Sequence, residues 1–345
     1  QINTTVGDFD GNCNVIAAYT AQAREMGAHL VAFPELAVTG YPTEDLVLRK
    51  SFVLESIDRL KSLASESERI VMVVGFVDCV GNTGAPAYNA AAVLANGHIA
   101  HVYHKIHLPN YGVFDEQRYF TPGERCAVLD LNGFKLGINV CEDVWTDQGP
   151  SEIQSANGAQ IIVNINASPF EVGKHQTRMD IIRNLAIRNS VFAIYTNQVG
   201  GQDELVFDGT SLVIAPNGNL VAQAKRFEED LLVVDLDRGT IDSARAQAHN
   251  TLEIKQKFTH IKAPLNIQLP PIENRFRPLI STPAKTTDLI VEEEVYRALV
   301  LGTRNYASKT GFNKAIIGLS GGIDSTLTAV IAVDALSAKN VVGGS

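Results

Sequence analysis

The chain has 345 residues, a length that accommodates two domains, or one large domain and part of a second. Hydrophobic residues make up 45% and charged residues 19%, which excludes disordered, collagenous and coiled-coil classes. With 29 Lys and Arg against 38 Asp and Glu the net charge is −9, so no basic field exists to hold a nucleic-acid backbone.

No run reaches the ~18 apolar residues of a membrane-spanning helix. The best candidate, 327–336, is short and contains Asp334, so no membrane partner is expected. Cys13, Cys79, Cys126 and Cys141 are far apart, with no C-x-x-C pair, which argues against a disulfide framework or zinc ribbon and for a reducing cytoplasm. The sequence opens on Gln1, and Gln1-Ile2-Asn3 reads as the continuation of a strand whose start is missing.

The spacing of small and apolar residues predicts a helix over 15–27, then buried strands over 29–33 and 70–77. Runs at 90–94 and 99–103 form a hairpin turning at Asn96-Gly97. Further strands are predicted at 135–140, 161–165, 191–195 and 212–215, with helices over 151–157 and 176–189. Pro216-Asn217-Gly218-Asn219 marks another hairpin, and 231–236 a late strand. Hairpins mixed with crossover helices imply an α/β domain with helices covering mixed sheets, placed at 1–262. Five of the thirteen prolines lie between 264 and 283, so 263–285 reads as an extended connector. A second domain, 286–345, then opens with a helix capped at Thr287-Asp288 and running to about Ser308. Its expected apolar stripe is Leu289, Val295, Tyr296, Leu299 and Val300. A strand at 314–319, a glycine loop and a helix over 325–336 follow, after which too few residues remain for a complete domain.

Three chemically capable residues each follow a predicted strand end: Glu35, Lys105 and Cys141. Strand ends can bring such groups together at one edge of an α/β sheet. Taken singly, each also fits a plainer role, a buried small cysteine or a solvated charge. His101, His104 and His107 are spaced three apart, but in an extended segment that spacing alternates faces and no carboxylate cluster completes a metal site.

The surrounding residues decide. Pro34-Glu35-Leu36 with Thr39-Gly40-Tyr41-Pro42, His104-Lys105-Ile106-His107-Leu108-Pro109 and Cys141-Glu142-Asp143-Val144-Trp145, in that order, resemble the carbon–nitrogen hydrolase (nitrilase) superfamily. The resemblance implies a four-layer α-β-β-α sandwich with Cys141 as nucleophile, Glu35 as general base and Lys105 as electrostatic stabiliser. Glu116 matches a second, supporting glutamate. Glu142 supplies a backbone oxyanion donor and is, with Tyr41, a weaker pocket candidate. Tyr111, Ser168 and Lys174 match residues that line a glutamine pocket. A hydroxyl and a cation there suit the α-amino and α-carboxylate ends of L-glutamine.

Near the C-terminus, Gly318-Leu319-Ser320-Gly321-Gly322-Ile323-Asp324-Ser325 lies between a predicted strand and helix and lacks the lysine of a Walker A loop. It resembles the pyrophosphate loop of the ATP pyrophosphatase superfamily, which implies the start of a doubly wound parallel α/β domain and makes these eight residues candidates for binding ATP. The two modules in this order resemble glutamine-dependent NAD+ synthetases. That likeness implies ATP and Mg2+ as cofactors with no prosthetic group, L-glutamine and deamido-NAD+ as substrates, and a homo-oligomer. No metal ligand is expected within this segment, and the stretch after Lys339 stops resembling the family. The alternative is a freestanding amidase with a vestigial C-terminal segment.

Overall fold

The computed structural model describes residues 1–81, 83–147, 149–247, 259–270 and 289–344. In chain order the first body comprises α1 (Phe9–Glu25), β1 (Leu30–Ala32), α2 (Lys50–Leu63), β2 (Val71–Cys79), β3 (Ala87–Ala95), β4 (His98–His104), α3 (Glu116–Tyr119), β5 (Arg125–Leu131), β6 (Phe134–Val140), α4 (Pro150–Ala156) and β7 (Ile161–Asn166). It continues through α5 (Lys174–Asn189), β8 (Phe192–Asn197), β9 (Val199–Gln202), β10 (Leu205–Asp208), β11 (Leu212–Ile214), β12 (Leu220–Gln223), α6 (Arg238–Gln247) and β13 (Thr259–Ile267). Then come α7 (Val291–Lys309), β14 (Ala315–Gly318), α8 (Ile323–Leu336) and β15 (Val341–Gly344).

Two sheets form the first body. One runs β1-β2-β3-β4, the other β12-β11-β8-β7-β6-β5-β13. The period of two along a strand explains how they stack. In β2, Val71 and Val73 face the second sheet with Ala91 and Val93 of β3, meeting Leu136, Ile138, Ile161 and Val163. Met72, Val74 and Phe76 point the other way, against Ile16 of α1 and Val53, Ile57 and Leu60 of α2. On the far side of the large sheet, Ile162, Ala193 and Ile214 pack against Met179, Ile182 and Ala186 of α5. Four layers result, helix–sheet–sheet–helix, as the family resemblance implies.

The parallel register β6–β7–β8 matters most for function. It brings the C-terminal ends of β6 and β7, with residues 141 and 167 just beyond them, to one rim. Aromatic and aliphatic runs made these strands easy to read. Two expectations fail. The stretch 231–236 forms no ladder and instead lines a cavity of about 450 Å³ together with β1 and strands of the larger sheet. Residues 263–267, read as connector, belong to β13, which pairs in parallel with β5 and extends the sheet at its edge. Pro264 fits there because an edge strand has no partner requiring its missing N–H. Of the other connector prolines, Pro270 closes the described stretch, whereas Pro271, Pro278 and Pro283, and the proposed cap Thr287-Asp288, lie outside the described residues.

β14 and β15 pair in parallel around α8, a single right-sized β-α-β unit. α7 begins at Val291 and buries a different face from the predicted stripe. Ala298, Leu301, Asn305 and Ala307 are buried, whereas Leu299 is 47% exposed. Close approach selects the small residues. A methyl group at Gly302 would come within 2.9 Å of Val206 on β10, and one at Gly201 on β9 within 3.0 Å of Gly302.

Candidate active site

Glu35 follows β1, Lys105 follows β4 directly, and Cys141 follows β6 directly. All three are buried, Glu35 and Lys105 completely. Lys105 Nζ donates to Glu35 Oε1 at 2.7 Å and lies 2.8–2.9 Å from both oxygens of Glu116. Asn89 Nδ2 donates to Glu35 Oε1 at 2.7 Å, and the backbone N–H of Ala167 to Oε2 at 2.9 Å. Tyr41 donates its hydroxyl to Glu116 at 3.2 Å, so Tyr41 supports this cluster from beneath and does not line the pocket.

The charges in this cluster set one another. Burial opposes the ammonium of Lys105, but Glu116 and Glu35 outweigh it and hold the lysine well above its ordinary pKa. Burial drives Glu116 up to about 7, against the pull of Lys105. The Cys141 thiol is pushed well above its ordinary value, first by burial and then by Glu35, with Lys105 opposing. The resting thiol therefore carries its proton and needs an adjacent base for attack. Cys141 adopts φ +44°, a left-handed backbone that a non-glycine residue rarely holds, at the start of the 3-10 turn Cys141–Val144. Leu36, beside Glu35, has φ +48°. Both sharp exits turn their neighbours' side chains toward the same rim.

Above Cys141 opens a pocket of about 370 Å³, lined among others by Tyr111, Glu142, Trp145, Ser168 and Lys174. Four residues read from separate stretches of sequence thus meet the cysteine in one cavity. Tyr111 donates to the Glu142 carboxylate at 3.0 Å. Burial raises the Glu142 carboxyl and lowers the Lys174 ammonium, the latter with help from Arg178. Ser168 is held by groups that sequence reasoning missed. Asn197 accepts its N–H at 2.9 Å, and Arg178 Nε donates to its hydroxyl at 3.1 Å. Arg178 is itself paired with Asp208 at 2.6 Å, both 2% exposed or less. Asn89, a lone amide in the apolar strand β3, was the visible signal for a buried polar partner; Arg178 resembled any basic residue of an amphipathic helix.

The three histidines part company. His104 binds Asp78 at 2.7 Å and stacks on Tyr88, while His107 lies beside Asp143. Burial pushes His101 down to about 4. Among the described residues no group of three or more His, Cys, Asp or Glu converges as a metal site.

The glycine loop sits between β14 and α8. Ser320 and Ser325 bring their hydroxyls within 3.2 Å across it, and Gly321 takes φ +79°. The first N–H groups of a helix lack intrahelical acceptors, and here they follow two residues without side chains to block an approaching anion. These features fit a phosphate-bearing ligand. Asp324 is the only carboxylate in the loop.

A family model described as carbon-nitrogen hydrolase matches residues 1–246. The chain belongs to the carbon–nitrogen hydrolase family. A model described as NAD synthase matches residues 295–344. Glutamine-dependent NAD+ synthetases of Thermotoga maritima and Aquifex aeolicus are each 41% identical, over 99% of this chain and 58% and 59% of their own lengths. The chain thus spans under two thirds of these relatives. The glutamine-dependent NAD+ synthetase of Acinetobacter baumannii, solved with ADP, superposes with a TM-score of 0.82 at 38% identity, over 99% of this chain and 57% of that one. Within the carbon–nitrogen hydrolase family, the nitrilase-superfamily amidase of Nesterenkonia matches with a TM-score of 0.61 at 28% identity, over 72% of this chain and 92% of that one. No helix among the described residues is long and apolar enough to cross a membrane.

Proposed function

We propose that this chain carries the glutamine-hydrolysing half of a glutamine-dependent NAD+ synthetase, with Cys141, Glu35 and Lys105 as its catalytic residues. The observation that carries the reading is the buried Lys105 held by two carboxylates, with Cys141 lining the adjoining pocket of about 370 Å³. Glutamine enters with its side-chain amide toward Cys141. Tyr111, Glu142, Ser168 and Lys174 hold its polar end, and the cation and hydroxyl separate it from simple amides. Glu35 takes the thiol proton as sulfur attacks the amide carbon. Lys105 and the backbone N–H of Glu142 stabilise the oxyanion. Glu35 then passes its proton to the departing nitrogen, ammonia leaves, and a γ-glutamyl thioester remains. Water, deprotonated by Glu35, hydrolyses the thioester to glutamate and restores the thiol. Glu116 supports Lys105 throughout. A mutant of the Nesterenkonia amidase, solved after Michael addition of acrylamide at its active-site cysteine, supports a nucleophilic cysteine in this fold.

The second body supports the synthetase half. Gly318, Leu319, Ser320, Gly321, Gly322, Ile323, Asp324 and Ser325 form the cradle for ATP, which when bound supplies an AMP leaving group for the carboxylate of deamido-NAD+. Ammonia released at Cys141 is the nitrogen that replaces it, giving NAD+, AMP and pyrophosphate. Mg2+ accompanies ATP in this reading, and the loop offers it Asp324 and hydroxyls only. The assembly is a homo-oligomer acting in the cytoplasm.

The test is NAD+ formed by the whole protein from deamido-NAD+ and ATP, with glutamine or ammonium, in wild type and Cys141→Ala. Loss of glutamine-driven synthesis with ammonium-driven synthesis retained is the expected result. Glutamine-driven synthesis surviving in Cys141→Ala would remove Cys141 from the mechanism. Glutamine hydrolysis with no NAD+ from either nitrogen source would leave an amidase.

A further inference from the structure

We propose that Asp143 is a positioning residue that sets the spacing between Cys141 and Lys105. The inference rests on the amidase reading above and assigns a role to a residue that touches neither substrate nor thiol in it. Asp143 is fully buried, two residues past the nucleophile in the turn Cys141–Val144. Its Oδ2 accepts from the N–H of Val140 at 3.1 Å and from the hydroxyl of Tyr103 at 2.7 Å. Its Oδ1 accepts from the N–H groups of Ile106 and His107 at 3.2 and 2.9 Å, and His107 Nδ1 lies 3.3 Å away.

These donors come from two places. Val140 is the last residue of β6 and leads into Cys141. Tyr103, Ile106 and His107 bracket Lys105 on the way out of β4. A turn cap needs only the Val140 N–H; the β4 donors add nothing to the turn itself. One carboxylate therefore ties the exit that carries the nucleophile to the exit that carries the ammonium, across two different sheets. A buried carboxylate stays only where donors surround it, so the bonds are strongly held. Burial and Asp143 keep the Tyr103 phenol far above its ordinary pKa, so it remains a donor.

The consequence is directional. Lys105 moves with Glu35 and Glu116, which grip it by three contacts. If the Asp143 bonds are lost, the Lys105 cluster and Cys141 separate while each stays internally intact. The ammonium then stabilises the thiolate less, and the thiol titrates higher.

The test is the pH dependence of Cys141 alkylation by iodoacetamide, with glutamine turnover and melting temperature, in wild type, Asp143→Asn and Tyr103→Phe. Asp143→Asn replaces one accepting oxygen with an NH2 donor that meets other donors; Tyr103→Phe removes one hydrogen bond, keeps the ring and changes no charge at neutral pH. Both are expected to raise the alkylation midpoint. Both should also lower kcat, by up to about 10²-fold in Asp143→Asn, as expected for a displacement near 1 Å. KM for glutamine is expected to change less than kcat. If Asp143→Asn does not fold, Tyr103→Phe carries the test alone. Were Asp143 acting only through its own charge, its removal would lower the midpoint and Tyr103→Phe would leave it alone. Were it only a structural cap, melting temperature would fall with the midpoint unmoved. Either result overturns the proposal while wild type remains active. A wild type whose Cys141 shows no glutamine-protected alkylation and no glutamine turnover would overturn the amidase reading, and this proposal with it.

Discussion

Glu116 shares both Lys105 and Asn89 with Glu35, and its burial in that cluster makes its proton informative. Its folded pKa of about 7 stands above the ordinary 4.5, chiefly because it is buried. Below about 4.5 the native and unfolded chains both hold the proton. Between that value and about 7 the unfolded chain releases it and the native chain keeps it, so native protein binds more protons and its stability falls as pH rises. Glu116→Gln copies the protonated shape and is expected to flatten this slope, read as urea midpoints at pH 4.5, 6 and 7.5. An unchanged slope would place the titrating proton elsewhere. The same variant loses one of two anionic partners of Lys105 and should lower glutamine turnover by about tenfold or more. At this scale the sequence was legible where chemistry and local motif coincide: Glu35, Lys105, Glu116 and Cys141 stand in runs of their own. Asn89, Arg178 and Asp208 were not, because the charged partner of each, Glu35 and Glu116 for Asn89 and one another for Arg178 and Asp208, lies at least 27 positions away in the chain.

Strand ends carry the active groups, so the elements must hold those ends in place. Gly75 shows how tightly. It lies in β2, and a methyl group there would come within 2.4 Å of the Leu36 nitrogen and the Pro34 oxygen. Both are backbone atoms of the turn bearing Glu35, and neither can rotate away. Gly75→Ala is expected to destabilise the chain by about 1–3 kcal/mol, as overpacking does, and to reduce glutamine turnover more than it reduces melting temperature would suggest. The check is a urea midpoint alongside the rate; full activity would show that the turn has room. The continuous apolar runs that exposed β2 and β3 in the sequence also hid their function, since a glycine in an apolar strand reads as a weak position rather than a close contact. Elements without such a pattern were misread. The 231–236 run has strand composition yet pairs with no strand. α7 leaves Leu299 exposed and buries Ala298, Leu301 and Asn305, and the partner surface comes so close at Gly302 that a methyl group there would crowd Val206.

That partner surface is where the two bodies of the molecule meet. α7 lies against the β9–β10 hairpin, and Asn305 anchors it by accepting the Gly201 N–H at 2.7 Å and an Asn3 amide proton at 3.1 Å. Glu294 pairs with Arg226, and Lys309 donates to the Thr4 carbonyl. Burial lowers the Lys309 pKa to about 8. Proline density located the passage between bodies in the sequence, but β13 extends the first body past the expected boundary, and nothing in the α7 sequence named its docking face. A polar residue at the centre of a helix face of small side chains is the signal that was available. Asn305→Leu keeps the branched shape with more bulk and leaves the Gly201 N–H without its acceptor, a loss of about 1–3 kcal/mol. Because the seam is far in sequence and bonding from the Glu35–Lys105–Glu116 cluster, the variant is expected to raise hydrogen exchange in α7 and β9 while leaving the Cys141 alkylation profile unchanged. Faster exchange throughout the four layers, or a shifted alkylation profile, would mean that α7 helps to hold the nucleophile's own body together rather than docking on a finished one.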